Sequence, residues 1–439
     1  MQKEDVPVRA LVAAVQLPSV SDAEFEASLM ELRELARTLG FKVVNTIVQK
    51  RASFDATGYL GVGKRQEIRE YIEHEAMLSE ESGSEGIELV LVDHEISPTQ
   101  LRKLELETEC EVMDRTMIIL EIFHRNARTP AARAQVEIAR LGYMAPRLRE
   151  AAKAAGPQGR QRSGVGGRGA GESATELDRR KIRDRIAELQ LEIAAMNATR
   201  DTQRSRRQQR QGLASVALVG YTNAGKSTLM RALTGSEVLV ENKLFATLDT
   251  TVRVLHPEGV PRVLVSDTVG FIKNLPHGLV TSFKSTLDEA LDAELLLHVI
   301  DAGDPGFERQ REVTNQVLAE IDAHDVPRLT VFNKIDSVGD AEAQAAHEAA
   351  LRAQYPDCVV MSARRPEDVA QLRQRILAFF QRDLVEAELH LPWSAQQLRH
   401  DIFTQCQVLH EDADEAGALF KVRGEEGLIA RLRAQIDAL

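Results

Sequence analysis

The stretch ASVALVGYTNAGKSTLMRALTG, residues 214–235, decides how the middle of the chain folds. An apolar run of strand length, a Gly-x4-Gly-Lys-Ser loop and a helical pattern follow one another in the order that a phosphate-binding loop requires. Gly220 and Gly225 free the backbone of Tyr221, Thr222, Asn223 and Ala224 to curl its N–H groups around an anion. Lys226 supplies a point charge for β- and γ-phosphate oxygens, and the Ser227 hydroxyl is a hard donor for Mg2+. Thr228 continues the helix whose N-terminal dipole faces the same anion.

Farther along, RLTVFNKIDS (328–337) reads as a strand ending in Asn333-Lys334-Ile335-Asp336, with Asn333 lying 107 residues after Lys226. A carboxylate at Asp336 can accept from both the ring N–H and the 2-amino group of guanine. Adenine offers neither donor, and leaving such a buried acceptor unpaired rejects the wrong base by roughly 10⁴-fold. Asn333 is expected to brace the loops, and the Lys334 stem to lie along the base. VVMSARR (359–365) closes the site with Ser362, Ala363 and Arg364, the Ala363 N–H donating to guanine O6.

Between these lie two segments that sense the γ-phosphate. SDTVGFIKNL (266–275) places Asp267 41 residues after Lys226, where it holds Mg2+ through water. Thr268 and Val269 lead to Gly270, whose N–H meets the γ-phosphate. Phe271 stands where many GTP-hydrolysing enzymes place glutamine. It cannot orient a water by hydrogen bonding, so its side chain is expected to pack against the core, with the water held elsewhere. That arrangement predicts slow intrinsic hydrolysis accelerated by a partner. NKLFATLDTTVR (242–253) is the expected first switch. Phe245, Ala246, Leu248 and Asp249 line it, and Thr247, Thr250 and Thr251 are each candidates to complete the Mg2+ shell.

The whole chain, at 439 residues, has room for several domains with cores of their own. Four segments are expected. Residues 1–125 alternate strands and helices, which predicts a parallel α/β domain. Its helix over ASLMELRELARTLG carries Leu29, Leu32, Leu35 (or Ala36) and Leu39 at helical spacing, and another helix is expected from Ser97-Pro98. GYLGVGK (58–64) lacks the full phosphate-loop spacing and predicts a turn before a helix, although two glycines there could seat an anion.

Residues 126–212 predict a helical hairpin in which Ile182, Ile186, Leu189, Ile193 and Met196 form a 4-3-4-3 seam. Its tip, GPQGRQRSGVGGRGAGES (156–173), has almost no apolar side chains. Arg160, Arg162 and Arg168 on that pliable backbone suit an RNA phosphate surface. Residues 213–383 form the nucleotide domain, and 384–439 a small α/β module without a catalytic constellation.

Charge sharpens this division. From Arg125 to Gly212 there are 20 Lys+Arg against 9 Asp+Glu, a local +11 that leaves −23 for the rest of a chain of net charge −12. One module that meets a polyanion, within a protein that otherwise repels it, is the reading this supports. No run approaches the roughly 20 apolar residues of a membrane span. The N-terminus does not read as a signal peptide. Cys110, Cys358 and Cys406 are isolated, which points to a reducing, cytoplasmic setting.

Taken together, GYTNAGKST, LFATLDTT, DTVGFIKNLPHGLV, LLLHVIDAGDP and NKID resemble the HflX family of translation-associated GTPases. So do DRTMIILEIFHRNART, GVGGRGAGE and ELDRRKIRDRI outside the nucleotide domain. The resemblance implies an N-terminal α/β domain, a helical linker, a GTPase domain and a C-terminal domain. It implies a GTP/GDP switch that binds RNA of the large ribosomal subunit and helps to split stalled or idle ribosomes, notably under heat stress. It selects Thr247, in the FATLD element, as the Mg2+-binding threonine, which acts beside Lys226 and Gly270 in catalysis. It also raises a monovalent cation near Asn223 and ATP at the N-terminal domain. A monomer is expected. The chain departs from the family where Gly167 and Ala170 replace a Thr and a Pro, and where Thr250 replaces a Pro. Neither change removes a phosphate or metal ligand. Two other readings fit a basic arm on a GTPase less fully, an assistant of RNA maturation or modification and a nucleotide-regulated protein adaptor.

Overall fold

The computed structural model describes residues 7–82, 86–154, 179–196, 213–235, 244–245, 247–248, 250–276, 279, 289–382 and 384–437. Arg160, Arg162 and Arg168, with the tip loop that carries them, lie outside the described residues, as do Ala246 and Asp249. The chain divides into two compact units. One comprises Met1–Met196, Asn242–Leu248 and Asn274–Lys284, and the other Asn197–Glu241, Asp249–Lys273 and Ser285–Leu439.

The first unit is built on a four-stranded sheet of β1 (Arg9–Gln16), β2 (Lys42–Lys50), β3 (Leu89–Val92) and β4 (Glu111–Asp114). All pairings are parallel, in the order β2-β1-β3-β4. The inner strands β1 and β3 are apolar and buried along nearly their whole length, as a strand covered on both faces must be. Helix α1 (Asp22–Thr38) begins where the Ser21 hydroxyl accepts from the Glu24 N–H, and it buries Leu29, Leu32, Leu35 and Ala36. Helix α2 (Val62–Ser82) follows the GYLGVGK turn. There Tyr59 is buried, Arg65 is held by the Leu60 carbonyl and the Glu107 carboxylate, and Lys64 pairs with Glu67 at 2.7 Å. Helix α3 (Pro98–Thr108) opens with a reciprocal cap between Ser97 and Gln100. Helices α4 (Arg115–Asn126) and α5 (Pro130–Ala154) follow.

A further helix, α6, spans 179–196. The five seam residues are its least accessible, Leu189 fully so, while every other described position of the helix is exposed. Arg185 on this helix bonds Glu137 of α5 at 3.0 Å, so the two helices lie side by side.

The second unit contains a six-stranded sheet. Its strands are β5 (Ala214–Val219), β6 (Thr251–Val254), β7 (Val263–Asp267), β8 (Leu295–Asp301), β9 (Arg328–Asn333) and β10 (Val359–Val360), in the order β10-β9-β8-β5-β7-β6. Only β6, at the edge, runs antiparallel. Helices α7 (Lys226–Thr234), α8 (Phe307–Glu320), α9 (Ala341–Gln354) and α10 (Pro366–Gln381) accompany it. Val216, Leu218, Leu229, Leu233, Val265 and Leu297 form the core between α7 and the sheet. Parallel strands all end on one side, so β5, β7, β9 and β10 deliver their following loops to the same edge.

The last part of this unit is a three-stranded antiparallel sheet, β11 (Val385–Pro392), β12 (Gln407–Ala413) and β13 (Gly417–Gly424), in the order β11-β13-β12. Helices α11 (Arg399–Gln405) and α12 (Glu426–Asp437) complete it around a core of Leu389, Leu391, Phe420, Val422 and Leu432. A 3-10 segment, Trp393–Leu398, leads into α11. Among the described residues, no helix is long and apolar enough to cross a membrane.

Candidate nucleotide site

The loop after β5 is shaped by a backbone that ordinary residues resist. Gly225, at the N-cap of α7, has φ 93°, a left-handed value that a side chain would strain. A Cβ there would also collide with the Asn333 side chain. Asn223 takes the left-handed region as well, a conformation asparagine tolerates better than most residues. The first turn of α7 thereby directs its N–H groups into the loop, the arrangement that binds phosphate.

Lys226 is buried, and its Nζ donates to Gly220 O at 3.0 Å and Tyr221 O at 2.8 Å. Burial pulls its pKa down to about 8; the Asp267 carboxylate opposes that fall and the Lys334 charge adds to it. A polyanion in the loop would restore the stability of the ammonium form. Ser227 Oγ donates to Asp267 Oδ2 at 2.8 Å, and Asp267 is 1% exposed. A hydroxyl and a carboxylate held together beside a phosphate loop are hard oxygen donors of the kind Mg2+ prefers. This pair therefore fits the ion expected of the fold. Thr268 faces elsewhere, because its hydroxyl donates to Leu218 O at 2.6 Å and the side chain is fully buried.

The residues expected to read the base are tied to the phosphate loop by direct bonds. Asn333 Nδ2 donates to Ala224 O at 2.9 Å, and Asn333 Oδ1 accepts from Ala363 N–H at 2.9 Å. One side chain thus fixes the loops after β5 and β10 together. Lys334 Nζ donates to Asn223 O at 2.6 Å and to Asp301 Oδ2 at 2.8 Å. Asp336 is partly accessible, 3.6 Å from the Arg364 guanidinium, while Ile335 is buried. The Ser362 N–H donates to Asp368, and the Ser362 hydroxyl accepts from the Arg364 N–H.

Sequence reasoning misses Asp301. Its signal lies in the register, since it pairs with Asn333 across β8 and β9. Only the order of the strands makes that pairing visible.

Gly270 lies close over the phosphate loop. A Cβ on it would be 2.9 Å from Thr222 Cα and 3.0 Å from Lys226 Nζ, so any larger residue would displace the segment. Phe271 is 1% exposed, and its side chain presents nothing polar to a water. Val269 is buried as well.

The structure therefore gathers Gly220–Ser227, Asp267–Gly270, Asn333–Asp336 and Ser362–Arg364 within the second unit. Of the first-switch candidates, Thr250 and Thr251 also belong there, Thr251 opening β6 opposite Asp267. Phe245, Thr247 and Leu248 fall in 242–248, which groups with the first unit.

Three family models match successive parts of the chain. They are described as "GTP-binding GTPase N-terminal" over residues 26–124, "GTP-binding GTPase Middle Region" over 126–207 and "50S ribosome-binding GTPase" over 215–334. A protein of Gluconacetobacter diazotrophicus named GTPase HflX is 49% identical and is matched over 99% of both chains. Another of that name from Escherichia coli is 37% identical over 92% of this chain and 91% of its own. Among solved structures, the GDP complex of a GTP-binding protein from the archaeon Sulfolobus solfataricus is 22% identical. It covers 84% of this chain and 99% of its own, with a TM-score of 0.43. The match to curated relatives over nearly the whole chain, on a chain that brings a Gly-x4-Gly-Lys-Ser loop together with the Asn333–Asp336 loop, places this protein in the HflX family of GTPases, which hydrolyse GTP in a Mg2+-dependent way.

Proposed function

We propose that this GTPase is a nucleotide-controlled factor of the large ribosomal subunit that helps to split or recycle stalled and idle ribosomes, particularly under stress. The observation that carries this reading is the charge distribution, a +11 segment over 125–212 on an otherwise strongly acidic chain. Ribosomal RNA is the polyanion such a segment would meet, through Arg160, Arg162 and Arg168. The match over 215–334 to a family model described as a 50S ribosome-binding GTPase supports the same partner. A cytoplasmic, monomeric protein is the simplest setting, in keeping with three free cysteines.

In the proposed reaction, water attacks the γ-phosphorus and the bond to the β–γ bridging oxygen breaks, leaving GDP and phosphate. Lys226 draws charge from the β- and γ-oxygens, and the Gly270 N–H donates to the γ-phosphate. Ser227, Thr247 and, through water, Asp267 are the residues that would hold Mg2+, which would supply charge neutralisation to the phosphate oxygens. Asp336 selects guanine with the Lys334 stem against the ring, and the Ala363 N–H, which donates to Asn333 Oδ1 in the structure, would turn from that oxygen to guanine O6 when the base is bound. Residues 220–228, 245–249, 267–270, 333–336 and 362–364 make up the nucleotide contacts. Because Phe271 is buried, the attacking water is held by groups outside that side chain, which makes hydrolysis slow until the ribosome completes the site. A monovalent cation beside Asn223 would be one such group. ATP at the N-terminal domain is a minor part of this reading, since Lys64 and Arg65 near the GYLGVGK turn are paired with Glu67 and Glu107.

Cosedimentation with purified 50S subunits tests the proposal. Binding is expected with a nonhydrolysable GTP analogue and is expected to weaken with GDP. A protein that stays in the supernatant in both states would sink it.

A further inference from the structure

Strands β5 and β7 pair in parallel as far as Leu218 with Asp267. Beyond the sheet the same two segments meet once more, in an isolated parallel bridge between Tyr221 and Phe271. From the first pair to the second, the chain advances three residues on the phosphate-loop side and four on the other. The extra residue is accommodated as a bulge within 268–270, a device that re-aims backbone groups beside functional sites. Here it presses Gly270 against Thr222 and Lys226.

Three hydrogen bonds hold this bulge from its far side. Phe271 N–H donates to Gly220 O at 3.1 Å, and Thr222 N–H donates to Phe271 O at 2.6 Å. Lys273 N–H donates to the Tyr221 phenol oxygen at 2.8 Å. The first two are backbone bonds open to any sequence. The third is made by a side chain, so Tyr221 contributes to both the bridge and the hydroxyl clip.

We propose that Tyr221 is a positioning residue for the γ-phosphate, one that acts by clipping the segment after Gly270 to the phosphate loop. The role rests on the proposed reading of Gly270 as the γ-phosphate donor. With a glutamine absent at 271, no side chain at that position ties the segment to the γ-phosphate. The register of Gly270 is set instead by the buried Phe271 on one strand and the Tyr221 hydroxyl on the other. An amide already held in place loses little freedom when it donates, which is how preorganisation strengthens binding and transition-state contacts. GDP has no γ-phosphate and draws nothing from this clip.

The substitution Tyr221→Phe removes the hydroxyl and keeps the ring and backbone. Fluorescent GDP and a fluorescent nonhydrolysable GTP analogue are titrated against both proteins with Mg2+ present. The variant keeps the Tyr221 backbone that the phosphate loop uses, so GDP affinity serves as the internal reference. The ratio of GTP-analogue to GDP affinity is expected to fall about 5-fold, the worth of one hydrogen bond. The Lys273 amide should also exchange its hydrogen faster in the GTP-analogue complex. Equal weakening for both nucleotides would make Tyr221 a structural loop residue only, and unchanged affinity for both would remove the clip altogether. Wild-type protein that binds GDP and the analogue with equal affinity would instead overturn the γ-phosphate role of Gly270 itself, which separates the two failures.

Discussion

His298 shows what a single residue costs when the fold needs its position more than its chemistry. It sits within the apolar strand LLLHVID, 3% exposed, and its Nε2 has no hydrogen-bond partner among the described residues. Burial first, then the Arg328, Arg311 and Lys226 charges, pull its pKa down to about 3. The unfolded chain takes up a proton as pH falls through about 6.5, whereas the folded chain stays neutral until far lower pH. The histidine therefore leaves stability untouched at neutral pH and removes it as the solution is acidified below about 6.5. Between pH 7 and pH 5 that loss comes to about 2 kcal/mol. His298→Leu should flatten this part of the pH dependence, which denaturant midpoints at the two pH values would measure. The same slope in wild type and variant would mean that the charged form is tolerated.

At the scale of elements, Leu244 and Phe245 are bound like a piece of the first unit's own core. Phe245 has φ 57°, a left-handed conformation that is rare for an aromatic residue. Its ring lies 4.7 Å from that of Phe123, and its carbonyl accepts from Asn126 Nδ2 at 2.9 Å, both on α4. Leu244 N–H reaches Thr38 Oγ1, the last residue of α1, at 3.4 Å. Burial of the ring offsets the backbone strain. Phe245→Ala should destabilise the first unit by about 3 kcal/mol, because it removes the ring and keeps the strain. Phe245→Gly should cost roughly 1 kcal/mol less, since glycine takes a left-handed conformation freely. Hydrogen exchange at the end of α4 would read both, and an alanine variant no worse than glycine would contradict the strain.

The whole molecule is defined by its division of charge. A segment that neutralises RNA phosphates releases counterions, so its binding weakens steeply with salt. Affinity for 50S subunits, measured between about 50 and 200 mM salt, should follow a straight log–log line. Replacing Arg160, Arg162 and Arg168 together with alanine should reduce the slope by about 2–3, at roughly 0.7–0.9 for each phosphate no longer neutralised. An unchanged slope would take the glycine-rich tip out of the interface, even if binding itself persisted.

Much of this protein is legible in its sequence, and for physical reasons. Anion chemistry dictates the Gly-x4-Gly-Lys-Ser loop, guanine's two donors dictate the carboxylate at Asp336, and packing periodicity dictates the seam from Ile182 to Met196. Each of these is a local pattern that one stretch of chain must carry by itself. The roles fixed by strand order and register are not legible there. Asp301 comes to Lys334 because β8 and β9 are neighbours, and the Thr268 hydroxyl turns to Leu218 because β5 and β7 are. Tyr221 meets Lys273 across 52 residues of chain by the same pairing. The grouping of Leu244 with α1 and of Phe245 with α4 is equally hidden. Local motifs name the groups expected at the nucleotide, and long-range pairing alone decides which neighbours hold those groups in place.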